Sequence, residues 1–285
     1  MFFEMRSYAV LLTVFNRIEL TRKSLVDFEK AVSFIPNASF DIFLTDDGST
    51  DNTKEVISQE FPNITILEGN GNLFWCRGMV NSWKYACGNN VNYDGYFWLN
   101  NDSYIFPNSI KEILSSSSEK SDQAIISGAF KSAINGLTTY GGRLKGQVKN
   151  LDPNGTLQRI EWMNGNLVFV PKYVFDRIGM LDDTFWHAIG DYDYGLRAIK
   201  NNIEVYLSKD YVGICEDHEK IEACYDVNVP IKKRFKNFYT PLGDDPFLRF
   251  IFLKRHYTIF KATKSFIITH LFVLFPSLMK LYNNK

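Results

Sequence analysis

The sequence predicts an α/β fold: a mostly parallel sheet flanked by helices, followed by a C-terminal helical appendage. Three observations predict it. Short apolar runs that are continuous rather than alternating mark strands buried on both faces. Each of the first three runs is followed by a stretch of helical periodicity, and such alternation builds a parallel sheet with helices on both faces. Residues 246–285 then change character and become strongly apolar and basic. At 285 residues, 45% hydrophobic and 22% charged, the chain suits one large domain with an appendage and not a disordered chain.

The first strand is expected over residues 7–14, around Tyr8-Ala9-Val10-Leu11-Leu12. A helix should follow over residues 18–34, with Leu25, Phe28 and Val32 on its inner face, ended by Pro36-Asn37. Asp41-Ile42-Phe43-Leu44-Thr45 reads as the second strand, with a helix over residues 52–60 after it. Between them Gly48 supplies a tight turn, and Ser49, Thr50 and Asp51 are competent helix caps. A third strand over residues 63–67 leads into a glycine-rich loop, 69–78, a helix over 79–87 and a short buried strand over 95–99. That loop lacks both Gly-x-Gly-x-x-Gly and a P-loop lysine, which excludes a dinucleotide fingerprint and a Walker loop. Further strands are expected over 121–130, 167–170 and 203–207, with an irregular excursion over 131–160 and a helix opened by Pro171. Residues 226–245, containing Lys232-Lys233-Arg234, read as a flexible loop.

Composition narrows the function. The 32 basic and 32 acidic residues cancel, so no global field favours nucleic acid. Aromatic content of 15% fits a well-filled core, sugar stacking or a membrane surface. Cys76, Cys87, Cys215 and Cys224 are too scattered for a disulfide framework or zinc knuckles, which favours a reduced, cytoplasmic setting. The opening Met1-Phe2-Phe3-Glu4-Met5-Arg6 does not read as a signal peptide.

Three acidic segments carry candidate chemistry. Trp98-Leu99-Asn100-Asn101-Asp102-Ser103 puts a carboxylate just past a strand's C-terminal end, where open α/β sheets bind ligands. Flanked by amides, it suits a hard divalent cation shared with a phosphate; the plainer alternative is an Asx-capped turn. Asp46 and Asp47 exceed what one helix cap needs, and could accept hydrogen bonds from the imide of uracil or thymine and from a ribose hydroxyl. Asp191 and Asp193 open a helix two positions apart, so they do not share a face. One can face a cleft while the other pairs with Arg197; the alternative is an acidic first turn favoured by the helix dipole.

Thr13-Val14-Phe15-Asn16-Arg17, Asp46-Asp47-Gly48-Ser49-Thr50-Asp51 and Leu99-Asn100-Asn101-Asp102-Ser103, in that order, resemble the nucleotide-binding half of family 2 glycosyltransferases. The likeness extends to bacterial surface-polysaccharide enzymes such as rhamnosyltransferases, whose glycine- and tryptophan-containing loop is similar to residues 69–78. The resemblance implies the Rossmann-like GT-A fold over residues 1–225, with a nucleotide-binding half (1–105) and an acceptor half (106–225). It implies nucleotide contacts from Thr13, Phe15, Asn16, Arg17, Asp46, Asp47, Gly71, Asn72, Arg77 and Asn101. It further implies Mg2+ or Mn2+ on Asp102 and His218, with Asn100 a further candidate, and donor or acceptor sugar near Trp75, Asn164, Gly165, Trp186, His187 and Asp193. Residues 190–197 resemble the family's Glu-Asp-x-Asp-x-x-x-Arg segment, which places the catalytic base on Asp191. Gly190 stands where the family has Glu.

The resulting expectation is a metal-dependent, inverting transfer of a sugar from a nucleotide diphosphate, UDP or dTDP preferred, to a saccharide or lipid-linked saccharide in polysaccharide biosynthesis. The rivals are a metal-dependent nucleotidyltransferase and a non-catalytic sugar-nucleotide-binding module. The tail over residues 246–285 has no apolar run long enough to span a bilayer. Its basic and apolar mixture suits helices lying on the inner face of a membrane as a peripheral anchor, or packing on the domain or on a second subunit of a homodimer.

Overall fold

Strand β1 (Arg6–Val14), helix α1 (Ile18–Val32), β2 (Ala38–Asp46), α2 (Thr53–Glu60), β3 (Thr65–Glu68), α3 (Phe74–Gly88) and β4 (Gly95–Leu99) form the first half of the computed structural model. The structure describes residues 5–217 and 223–283. β1 pairs in parallel with β2 and with β4, and β2 pairs in parallel with β3. The order β3-β2-β1-β4 reverses between β1 and β4, which opens a crevice at their C-terminal ends. β1 is central because it has apolar residues on both faces: Ala9 and Leu11 enter one core layer, Tyr8, Val10 and Leu12 the other.

Helix α3 starts at Phe74, within what reads as loop in the sequence. Gly78 is no helix breaker here; it brings α3 against β1, where a Cβ would overlap the Thr13 side chain.

The second half contains β5 (Tyr104–Ile105), α4 (Ser109–Glu119), β6 (Ile125–Lys131), β7 (Thr138–Tyr140), β8 (Gly142–Arg143), β9 (Gln158–Arg159), β10 (Trp162–Met163) and β11 (Leu167–Pro171). Then come α5 (Lys172–Ile178), α6 (Gly190–Lys200), β12 (Val205–Ile214), α7 (Ile231–Phe238), α8 (Pro246–His256), α9 (Ile259–Leu274) and α10 (Pro276–Asn283). β11 runs antiparallel between β4 and β6, and β12 continues the sheet parallel to β6. β12 extends to Ile214, beyond the apolar run ending at Leu207, because a register irregularity carries it past the polar Ser208-Lys209-Asp210. β8 and β10 form a separate ribbon with Arg143 opposite Trp162.

Residues 226–245, expected as a flexible loop, hold α7. Phe238 is fully buried against Cys224 and Val273, and Arg234 is buried rather than solvated. The appendage docks on the domain: Phe252, Leu253 and Ala262 join the core layer that contains Trp83 and Trp98. Among the described residues, no helix is long and apolar enough to cross a membrane.

Candidate active site

A cavity of about 300 Å³ opens where the strand order reverses. Thr13, Phe15 and Arg17 reach it from the end of β1, and Asp47 from the end of β2. Gly71 and Trp75 come from the glycine loop and α3; Asn101, Asp102 and His187 complete the expected residues that line it. Val14, Phe74, Asn100 and Leu242 also line it. Leu242 follows α7, and no sequence signal connects it with residues more than a hundred positions earlier.

The crevice is built by polar locks between turns. Asn16 and Arg17 take left-handed backbone, with φ of 55° and 67°. The Asn16 amide N–H donates to Ser49 Oγ (2.7 Å), and Asn16 Oδ1 accepts from the Thr50 amide (2.9 Å). The Ile18 amide donates to Asp51 Oδ2 at 2.9 Å, tying the start of α1 to the turn after β2. Asn16 thus holds the turn and is not on the cavity wall.

The two acids expected to be surplus are engaged in structure. Asp46 Oδ1 accepts from the Ser49 amide at 2.9 Å, and Asp46 does not line the cavity. Asp47 accepts from Gly71 N through Oδ1 (2.9 Å), and from Leu73 N (2.8 Å) and Phe74 N (2.9 Å) through Oδ2. One carboxylate therefore holds the glycine loop and the first amides of α3, a charge favoured at a helix N-terminus.

Asp102 accepts from Arg17 Nη1 at 3.1 Å, with the Asp102 side chain 16% exposed and Arg17 53% exposed. Asn100, a candidate metal ligand, instead gives its Oδ1 to the Trp75 indole N–H at 2.7 Å. Asn101 donates to Thr21 Oγ1 at 3.1 Å. His218 lies outside the described residues. Among the described residues, no three His, Cys, Asp or Glu side chains cluster as a ready metal site. The oxygen donors present still suit a hard cation that draws its remaining ligands from a diphosphate and water.

Asp191 sits in the first turn of α6, after Ile189, whose φ of 76° is rare for a β-branched residue. Its Oδ2 accepts from the Gly165 amide at 3.1 Å and its Oδ1 from the Tyr192 amide at 2.8 Å. Gly165 lies between Asp191 and Trp75: a Cβ there would stand 2.6 Å from the indole and 3.6 Å from Asp191 Cβ. Asp191 is thus not in the cavity wall itself but next to it, separated by Trp75 and Gly165. Burial pushes its carboxyl up to about 6, against the two amide hydrogen bonds and the charge of Arg143. Gly190 packs on Cys76 Sγ, so a Glu side chain at this departure from the family pattern would have no room.

The other expected sugar contacts are placed differently. Asp193 is fully buried and accepts from Arg197 Nε (2.9 Å), Arg255 Nη1 (2.8 Å) and His256 Nε2 (2.7 Å), which turns it away from the cavity. Burial acts upward on its carboxyl, but these three partners hold it below its usual value. Asn164 accepts from Gly141 N at 3.2 Å and donates to the Tyr192 hydroxyl at 3.4 Å, beside Asp191. Trp186 stacks under the Arg77 guanidinium, 3.7 Å from its ring centre, and Arg77 Nε donates to the Asp183 carbonyl at 2.8 Å. These two, and the exposed Asn72, stand outside the main cavity.

A family model described as Glycosyl transferase family 2 matches residues 9–184. No curated protein matches the chain by sequence. Among solved structures, the fold is similar to S. aureus TarS 1-349 in complex with UDP, at 12% identity and TM-score 0.56, over 87% of this chain and 70% of that one. S. aureus TarS 1-349 in complex with UDP-GlcNAc aligns at 11% identity and TM-score 0.54, over 88% of this chain and 71% of that one. The mannosyltransferase PcManGT from Pyrobaculum calidifontis, in complex with GDP-Man and Mn2+, aligns at 10% identity and TM-score 0.56, over 93% of this chain and 74% of that one.

Proposed function

Since the chain belongs to glycosyl transferase family 2, we propose that it moves a sugar from a nucleotide diphosphate, UDP or dTDP, to a saccharide or lipid-linked saccharide hydroxyl with inversion. The observation that carries this reading is the setting of Asp191: a carboxyl with pKa raised to about 6, held by Gly165 N–H beside Trp75, at the edge of the cavity that contains Asp102. A group titrating there is largely ionised at neutral pH yet basic enough to take a hydroxyl proton.

The donor's nucleotide occupies the crevice between the ends of β1 and β4. Asp47 Oδ1 accepts one amide bond and retains capacity for an imide N–H, since a carboxylate oxygen can accept two. Arg17 offers a cation to the diphosphate. Asp102 would hold Mg2+ or Mn2+, which when bound offsets the charge of the leaving diphosphate. The mannosyltransferase PcManGT, similar in fold, was solved in complex with GDP-Man and Mn2+, which supports a divalent ion accompanying the donor. Asp191 takes the acceptor proton. One base across from the leaving group gives a single displacement, hence inversion. The basic and exposed apolar residues of the tail support a peripheral position on the inner, anionic face of a membrane, where a lipid-linked acceptor would be presented.

The test is transfer by the full chain from a panel of UDP, dTDP and GDP sugars. Asp191→Asn lowers turnover about 10²- to 10⁴-fold, the usual worth of a general base, while the thermal shift given by UDP with Mn2+ persists. Near wild-type turnover by this variant overturns the assignment of the base.

A further inference from the structure

We propose that the groove between the β8–β10 ribbon and helices α8 and α9 binds a phosphate group carried by the acceptor, and that Arg143, Lys145 and Lys261 are its ligands. The groove holds about 380 Å³ and is separate from the donor cavity. Its lining combines those three cations with Trp162 and Tyr257 and includes no acid.

The cations are oriented without being neutralised. The Arg143 guanidinium lies 5.1 Å from the Trp162 ring centre and 5.3 Å from that of Tyr192. Lys145 and Lys261 approach the Tyr257 ring at 5.5 Å and 3.6 Å. Among the described residues, the salt bridges engage other cations, such as Arg159, Lys209 and Arg255, and none of these three. Aromatic faces stabilise a cation only modestly and leave its charge available. Glu161, whose charge reaches Tyr257, offsets part of the excess. A guanidinium fork with two ammonium groups matches phosphate oxygens, and the three cations outnumber the two carboxylates, Glu161 and Asp191, whose charges reach them or their rings. The two rings offer apolar faces to an adjoining sugar.

Position ties the groove to the reaction. Trp162 packs on Tyr192 with ring centres 4.9 Å apart, and Tyr192 follows Asp191 directly. β10 runs straight into Asn164-Gly165, whose Gly165 amide holds the Asp191 carboxylate. Asp191 therefore lies between two cavities, with Trp75 on the donor side and Tyr192 on the groove side. An acceptor hydroxyl that delivers its proton to Asp191 from opposite the leaving group has the rest of its molecule in this groove. That direction rests on Asp191 being the base; the anion site itself does not.

The probe is glucose 6-phosphate, with glucose as control, added to the full chain with the donor cavity saturated by UDP and Mg2+. The phosphorus-31 line of the phosphosugar broadens with wild type, and salt suppresses the effect. Lys145→Gln and Lys261→Gln, both exposed and so benign to folding, each weaken binding about fivefold or more, on the scale of one charged hydrogen bond. Lys261→Arg restores it. Arg143→Lys retains the charge but loses the fork, and weakens binding less than Arg143→Gln. Unchanged broadening in the lysine variants overturns the proposal. So does a second pattern, in which the variants lose only their hold on phosphatidylglycerol vesicles: the cations would then serve lipid headgroups. Phosphosugar binding that is lost in the variants supports the groove even if no donor sugar is turned over, which separates its fate from that of the donor reading.

Discussion

At the residue scale, Asp191 has two properties that pull against each other. Its carboxylate accepts two amide N–H bonds, yet burial raises its pKa to about 6. As the proposed base, Asp191 must be ionised, so kcat/KM is expected to rise with pH through about 6 and to be flat above it, which a pH–rate profile of wild type checks. The same shift bears on folding. A carboxyl with a raised folded-state pKa loses stability as pH climbs from the usual carboxylate range to about 6, so Asp191→Asn compares better with wild type at pH 8 than at pH 5. Melting curves at both pH values check this sign. The placement of Asp191 in the first turn of α6 was legible because Arg197 fixes the count along the helix, and so was the Asp193–Arg197 pair at four residues' spacing. Arg255 and His256, which complete the burial of Asp193, are more than sixty positions away and left no local trace.

At the scale of elements, α6 is fastened to α8 by one buried carboxylate. Removing the Asp193 charge takes a buried acceptor from Arg197, Arg255 and His256, although Arg255 keeps its bridge to Asp182, so Asp193→Asn lowers unfolding free energy by about 1–3 kcal/mol in urea. Asp176→Asn, which breaks the exposed Lys172 pair, costs less than about 1 kcal/mol in the same assay. The Asp193 loss narrows as pH falls below the usual carboxylate range, because a depressed pKa stabilises only while the group is ionised. Most elements could be read directly: β1, β2 and β4 each carry a continuous apolar run, and α1 places Leu25 and Phe28 inward by simple periodicity. The start of α3 was hidden because Gly78 looks like a breaker, when its purpose is close approach to Thr13. α7 was hidden because Lys232-Lys233-Arg234 looks solvated, when Arg234 is buried in the folded chain.

At the scale of the whole molecule, charge is segregated. Residues 246–285 carry seven Lys or Arg and no Asp or Glu, which leaves 25 basic against 32 acidic residues in 1–245. Phe260, Ile267, Leu271 and Leu274 are exposed on α9, at spacings that align them along one helical face, and Leu278 is exposed on α10. Like-charged tails repel, so an anionic lipid surface suits this face better than a second copy. Co-sedimentation with phosphatidylglycerol vesicles is expected to exceed that with phosphatidylcholine, and to fall as salt rises and shortens the screening length. The composition of the tail was plain in the sequence. Its docking was not, because Phe252 and Leu253 look no different from the exposed apolar residues around them until the core that receives them is folded.

The ion pair between Arg17 and Asp102 has a thermodynamic consequence. The guanidinium and the divalent ion proposed for Asp102 would compete for the same carboxylate. A bare dication must displace Arg17 into solvent, whereas one escorted by a diphosphate offers the guanidinium a new anion in exchange. Each ligand then tightens the other by the same factor, as reciprocity requires. Titrated one at a time, both look weak; titrated together, they look cooperative.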